Sequence, residues 1–235
     1  MRKNKKLIAI ISVVALLVTG SMFTVNADFT NSSSTNSHYN RTEAKNYIEE
    51  HVTTPSDDYA WFGSGTDGGD CTNFVSQVLK AGGMAFTSRS NNPTDNHWYY
   101  YTSDWGWGRT SSWTGADFFR KHWGQKNGVG NARAYSMKIY TAGELATNNS
   151  KWQGLYSSVK AGDVIQFVYY ENGETYHSQV VHRTSTEEAY GKVSTAQHST
   201  GSKLNNPNNK YVNLRTYCRG IDPNRWVCVL RIKKN

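Results

Sequence analysis

The stretch GGDCTNFVSQVLKAGG, residues 68 to 83, decides how this chain is read. Phe74, Val75, Val78 and Leu79 recur at helical spacing, and Gly82-Gly83 stops the pattern, so a helix is predicted to begin at or near Cys71. Glycines at 63, 65, 68 and 69 lead into it. A chain that must turn sharply to present a side chain uses glycine. A helix N-terminus stabilises an anion placed on it, and a thiol becomes a strong nucleophile only as thiolate. Cys71 therefore has two readings, an activated nucleophile or a small buried packing residue.

Upstream, Asn40 is placed to cap a first helix, with Glu43 reaching back as in a capping box. Ala44, Tyr47, Ile48 and Val52 share its inner face, and Thr53-Thr54-Pro55 ends it. Downstream, residues 84 to 112 read as an aromatic-rich loop holding Trp98, Tyr99, Tyr100, Tyr101, Trp105 and Trp107. Such rings either pack inward or stack on sugar faces. Trp113 to Trp123 reads as a third helix with Phe118 and Phe119 inward. From residue 160 the pattern turns to strands: 163–170, a turn at Glu171-Asn172-Gly173-Glu174, then 176–184 and 193–199. Two segments near the end, NLRTYC and RWVCVLRI, read as an antiparallel pair. The expectation is an α+β domain, its N-terminal helices packed on one side of a C-terminal antiparallel sheet of about five strands.

Residues 1–27 combine a basic start, an apolar run from Leu7 to Val18 and a small residue at Ala27, which is the pattern of a secretory signal peptide. The run is short of the roughly 20 residues a spanning helix needs. Export is therefore expected, to a secreted and possibly wall-associated place, with no stable membrane insertion after cleavage. Residues 28–38 (DFTNSSSTNSH) read as a flexible lead-in. Residues 39–235, roughly 195 positions, form a single domain with room for a core. The chain has 26 Lys+Arg against 18 Asp+Glu. The 26 less the four in the signal segment is 22, about +4 over the acidic residues, and no nucleic-acid motif accompanies that modest excess. Three cysteines are an odd number for an exported chain. Cys218 and Cys228 could form a cross-strand disulfide if their sulfurs face each other. Cys71 is then left over.

His177 stands in Tyr-His-Ser-Gln-Val-Val, where alternation puts it on one face with Gln179 and Val181. His198 lies on the next strand, in Thr-Ala-Gln-His-Ser. If the two strands pair, both histidines come to their open ends, and one can orient the other. Zinc is the rival reading for a cysteine with two histidines. No pair stands at ligand spacing such as HxxxH or CxxC, and no metal or cofactor is expected.

Gly69-Asp70-Cys71-Thr72-Asn73-Phe74-Val75-Ser76-Gln77 with Ala81-Gly82-Gly83 closely resembles the signature of the putative amidase domain family. That group is similar to the NlpC/P60 and CHAP branches of the papain-like superfamily. Tyr39-Asn40-Arg41, Gly162-Asp163-Val164-Ile165, Tyr-His-Ser and Ala-Gln-His-Ser follow in the same order, so the resemblance spans about residues 39 to 205. It implies a papain-like fold with Cys71 as nucleophile, His177 as base and His198 as the third polar residue that holds the imidazole. Asp70 matches a position that recognises a substrate amine, or is simply the helix cap. Tyr59, in Tyr-Ala-Trp-Phe-Gly, matches a tyrosine lining that pocket, although Phe62 and the longer glycine segment depart from the pattern. Family, export and aromatics together imply peptidoglycan or its peptides as the partner. The bond cut is either the muramoyl link to the first stem residue or one inside the stem. The alternatives on the same fold are a non-catalytic wall-binding module and a secreted deamidase or transferase acting on proteins.

Overall fold

A computed structural model describes residues 28–63, 69–104, 106–125, 132–186, 191–198 and 211–235. The predicted signal segment, Gly65, Gly68 and Trp105 lie outside the described residues. Among the described residues the chain folds as a mixed helix and sheet structure around one antiparallel sheet of seven strands. These are β1 (Phe29–Thr30), β2 (Ser136–Thr141), β3 (Val164–Val168), β4 (Thr175–Ser185), β5 (Lys192–Ala196), β6 (Val212–Asn213) and β7 (Trp226–Arg231). Their spatial order is β1-β2-β7-β3-β4-β5-β6. The β3–β4 hairpin joins at residues 169–174, as expected, and β4 pairs with β5 at Val180↔Ala196 and Val181↔Thr195.

Two faces of this sheet are covered, because its central strands are apolar at successive positions. Val164, Val168, Val180, Cys228 and Leu230 pack under α1 (Arg41–His51), α2 (Cys71–Ala81), α3 (Ser111–Thr114) and α4 (Ala116–Gly124). Ile165, Phe167, Val181, Val227 and Val229 face the other way, onto α5 (Ala142–Thr147), α6 (Asn149–Ser158) and α7 (Leu214–Arg219). Each fully buried Val, Leu, Ile or Phe contributes about 1.5–3 kcal/mol, so the two layers hold the sheet from both sides.

Several expectations need correction. The sheet has seven strands rather than five, and helices lie on both of its faces. The additional strands are β1, β2 and β6. Residues 28–38, expected as a flexible lead-in, dock on the sheet edge: Phe29 is buried opposite Met137, and Asn31 Nδ2 donates to the carbonyls of Ala132 and Ala134. The NLRTYC segment is helix α7, capped by Asn213 Oδ1 on the Thr216 N–H. Cys218 on that helix and Cys228 on β7 belong to clusters on opposite faces, so the sheet stands between them and both are free thiols. The third helix is broken at Gly115, and Phe118 points outward, 41% exposed, while Phe119 is buried.

Helix α1 is capped as predicted by Asn40 Oδ1, on the N–H groups of Thr42 and Glu43. The reciprocal half of the expected box goes elsewhere: the Asn40 N–H donates to Gly82 O at the end of α2. Gly162, at φ +81°, turns the chain into β3 where an added Cβ would meet the Tyr39 hydroxyl at 2.4 Å. Next to it, Asp163 is fully buried, paired with Arg41 at 2.9 Å and accepting from the Ile232 and Lys160 N–H groups. Within the aromatic segment, Trp98, Tyr99 and Tyr100 are core, while Tyr101 and Trp107 are 49% and 56% exposed. Among the described residues no helix is long and apolar enough to cross a membrane.

Candidate active site

Cys71 is the first residue of α2 and is half-buried. The chain reaches it through Gly69 at φ +103°, a left-handed conformation that glycine adopts without strain. The Asp70 side chain makes no capping hydrogen bond to the helix, so backbone N–H groups at its start are not taken by that carboxylate.

His177, on β4, comes against Cys71 across the helix–sheet boundary, near enough that each shifts the protonation of the other. Burial by itself would raise the thiol. The His177 charge, its hydrogen bond, the Ser178 backbone N–H and the Thr72 hydroxyl outweigh it, and Cys71 lies below the ordinary thiol value of 9.0. Burial pulls His177 the opposite way, but Cys71 and Gln197 lift it above 6.5. Both shifts favour a thiolate beside an imidazolium.

The His177 Nε2–H donates to Gln197 Oε1 at 2.5 Å, which leaves Nδ1 for the sulfur. Gln197 Oε1 also accepts from Gln179 Nε2 at 2.7 Å, and Gln179 Oε1 accepts from the Thr195 hydroxyl at 2.7 Å. Two donors converge on one amide oxygen, so the orientation of Gln197 is set by its neighbours.

Strand parity explains why Gln197 stands here and His198 does not. The register that pairs Val180 with Ala196 carries residue 197 opposite 179 and residue 198 opposite 178. Successive side chains alternate faces, so Gln197 shares the face of His177 while His198 falls on the other. The expected role of His198 as the group holding the base is thereby corrected. Its Nδ1 pairs with Asp70 Oδ2 at 2.5 Å, its Nε2 donates to His51 O at 2.8 Å, and its ring stacks on Phe74 with centroids 4.0 Å apart. Asp70 also accepts from the Phe62 N–H and from Asn73 Nδ2. With Asp70 and His198 both 1% exposed, this is an internal pair that fixes the approach to α2. Tyr59 stacks on Trp113 and meets Tyr100 edge-on, inside the aromatic cluster.

Residues that the sequence reading passed over complete the site. Thr72 Oγ1 and Ser178 Oγ share a hydrogen bond of 2.9 Å beneath Cys71, and Gln166 Nε2 donates to Ser178 Oγ and to Ala116 O. Strand parity would have found Gln197; nothing local to Gln166 marks it. A cleft of about 320 Å³ has walls that include Phe62, Arg109, Phe118 and Gly69, which lies two residues before Cys71 in the chain. Among the described residues no cluster of three His, Cys, Asp or Glu side chains could hold a metal ion.

A family model described as a putative amidase domain matches residues 38–221. The chain is also 28% identical over 176 residues to the uncharacterized protein YjcM of Bacillus subtilis (strain 168), an overlap of 72% of this chain and 32% of that protein. It thus spans about a third of the length of the curated relative it matches. No solved structure matches the chain.

Proposed function

This chain belongs to the putative amidase domain family, and from that premise we propose that it is a cysteine-dependent hydrolase of amide bonds, acting outside the cell on the peptides of peptidoglycan. An amidase breaks C–N amide bonds with water, and the chemistry requires a nucleophile, a base and a place for the oxyanion. The observation that carries the proposal is the pairing of the Cys71 thiol with His177, whose far nitrogen is held by Gln197. A packing cysteine would need none of that.

In this reading the Cys71 thiolate attacks the amide carbonyl carbon, and the carbonyl oxygen becomes an oxyanion. Backbone N–H groups at the start of α2, that of Cys71 among them, stabilise it. The tetrahedral intermediate collapses as the His177 imidazolium gives its proton to the leaving amine, and a thioester remains on Cys71. Water, deprotonated by the now neutral His177, attacks the thioester. The carboxylic acid departs and the thiolate–imidazolium pair is restored. The papain-like reading of the fold and a peptidoglycan substrate belong to the same proposal. They are supported by the family signature and by the apolar segment at residues 7–18.

The test is digestion of purified cell wall with mass spectrometry of the released fragments. Wild-type protein is expected to release fragments with new amine and carboxyl ends at one amide, and Cys71→Ala to release none while keeping its melting temperature. Equal release by the two proteins would end the proposal.

A further inference from the structure

We infer that a buried hydroxyl relay, running from Gln166 through Ser178 to Thr72, delivers one fixed O–H donor to the Cys71 sulfur and favours its thiolate. Thr72 touches the reacting atom, while Ser178 and Gln166 are positioning residues. The inference rests on the reading of Cys71 as the nucleophile of a hydrolase and adds to it the donor that steadies the anion.

Strand register brings these groups together. Gln166 on β3 is paired with Ser178 on β4, on the face whose Val164, Val168 and Val180 pack under α2 and α4. Gln166 is the one polar residue of β3 (VIQFV), and Gln166, Ser178 and Thr72 are all fully buried. Polar groups in such a place are costly unless they are hydrogen-bonded. Gln166 Nε2 donates to Ala116 O at 3.0 Å and to Ser178 Oγ at 2.9 Å. Ser178 Oγ lies 2.9 Å from Thr72 Oγ1, which lies 3.7 Å from Cys71 Sγ. Gln166 Oε1 is buried with no hydrogen-bond partner among the described residues. The amide is thus placed for its two N–H donors, and its acceptor is given up.

The direction of the relay follows from a count of protons. A carbonyl oxygen only accepts, so Ala116 O fixes which end of the Gln166 amide faces Ser178. That nitrogen cannot accept, so the Ser178 proton goes to Thr72 Oγ1. The Thr72 proton is then left for Cys71 Sγ. In the reverse order, with Thr72 donating to Ser178, the Ser178 proton would be buried without an acceptor. A hydroxyl bonds an anion more strongly than a neutral group, so a donor fixed on the sulfur favours the thiolate. No proton is transferred along the relay. Two titratable side chains from other elements also face the sulfur. Burial opposes the Cys71 thiolate, His177 on β4 is the strongest influence in its favour, and the Thr72 hydroxyl adds to it. Burial, with Cys71 a lesser cause, pushes Tyr217 on α7 up to about 12, so that phenol stays neutral.

The experiment follows the rate of Cys71 alkylation by iodoacetamide against pH, read by peptide mapping of the folded protein, so no substrate is needed. Thr72→Val removes the hydroxyl at nearly constant volume. Its acid-side midpoint is expected to rise by roughly half a unit to one unit, about a 3- to 10-fold loss of thiolate below the midpoint. Thr72→Ser keeps the donor and should keep the wild-type midpoint. Gln166→Met should raise the midpoint in the wild-type background and leave it unmoved in the Thr72→Val background, where the relay has already lost its end. Melting curves check folding, with Thr72→Ala and Gln166→Leu as replacements for any variant that does not fold. A midpoint unchanged in folded Thr72→Val, equal rises in Thr72→Val and Thr72→Ser, or a Gln166→Met rise of the same size in both backgrounds would overturn the inference. If the midpoints move as expected but the wild type releases no wall fragment, the hydrolase reading fails and the relay stands. If the wild type releases fragments and the Thr72→Val midpoint does not move, the relay fails and the hydrolase reading stands.

Discussion

The imidazole of His177 and the amide oxygen of Gln197 lie 2.5 Å apart, and that oxygen is itself held by Gln179 at 2.7 Å. The base is thus aimed by a neutral amide at the end of a buried relay, where a second histidine had been expected. A neutral partner fixes the tautomer and direction of the ring without adding charge beside it. Gln197→Ala should therefore lower kcat by roughly 10- to 100-fold, less than the 10²–10⁴ that a general base itself supplies. KM should move little, because Gln197 has no proposed contact with substrate. Steady-state kinetics on a cleavable peptide measure this, and unchanged kcat would remove Gln197 from the site.

The buried Asp70–His198 pair acts on position rather than chemistry. Both ring nitrogens of His198 face acceptors, Asp70 Oδ2 and His51 O, and the other Asp70 oxygen holds Phe62 and Asn73. Removing one member strands the other in the interior, at a cost of about 3–5 kcal/mol. His198→Ala and Asp70→Ala should each lower the melting temperature by roughly 10 °C, at the few degrees per kcal/mol expected for a domain of this size. The double variant should lose less than the two single losses added, since the stranded charge is then gone. Additive losses in a thermal melt would show that the two residues do not act as a pair.

The three thiols divide by reactivity. Cys218 and Cys228 are buried, and burial pushes each up to about 12. Cys71 is half-buried and lies below its ordinary value. Brief treatment of the folded protein with iodoacetamide near neutral pH should label Cys71 alone, and peptide mapping should find Cys218 and Cys228 only after unfolding. Labelling of all three at similar rates would contradict the environment assigned to Cys71.

Much of the fold around the nucleophile can be read from local pattern. Asn40, the stripe Ala44, Ile48 and Val52, and the run from Phe74 to Leu79 are local signals, and α1 and α2 form where those signals place them. The antiparallel hairpin at 163–185 is equally local. What local pattern misses is non-local. NLRTYC carries both β-branched and helix-forming residues, and Asn213 capping Thr216 decides for a helix. Strands β1 and β2 exist because β7 offers an edge to β2, a pairing across about 90 residues that no window reveals. Thr141 with Glu144 is a capping box in plain sight, and it marks α5 in a region the sequence reading left empty. In the site, Cys71 and His177 were singled out by chemistry, whereas Gln197 follows only from register. Arg109 belongs to the cleft by tertiary placement alone.

Arg41 is a structural anchor at the start of α1. Its guanidinium donates to Asp163 at 2.9 Å, to Ala161 O at 2.7 Å and to Lys233 O at 2.9 Å, joining the start of α1 to the entrance of β3 and to the segment after β7. Burial pushes the Asp163 carboxyl above its ordinary range, with Arg41 the largest opposing influence. Arg41→Ala leaves that carboxylate without its cation, so a loss of about 3–5 kcal/mol is expected in chemical denaturation. A change below about 1 kcal/mol would class the contact with ordinary surface pairs.

The pH dependence of hydrolysis separates the two histidines. The competent form is thiolate with imidazolium, so kcat/KM should rise on the acid side as the Cys71–His177 pair loses its first proton. It should fall on the alkaline side as the second proton leaves. Cys71 lies below 9.0 and His177 above 6.5, so the two limbs are pushed apart and a plateau between them is expected. The hydrogen bond from His177 to Gln197 is one cause of the upward shift of the imidazole. Removing it in Gln197→Ala lowers that value, so the alkaline limb must move to lower pH and the plateau narrow from that side. His198 is not among the influences on His177, and His198→Ala should lower stability without moving the limb. An alkaline limb that moves in His198→Ala and stays fixed in Gln197→Ala would reverse the assignment of the orienting residue.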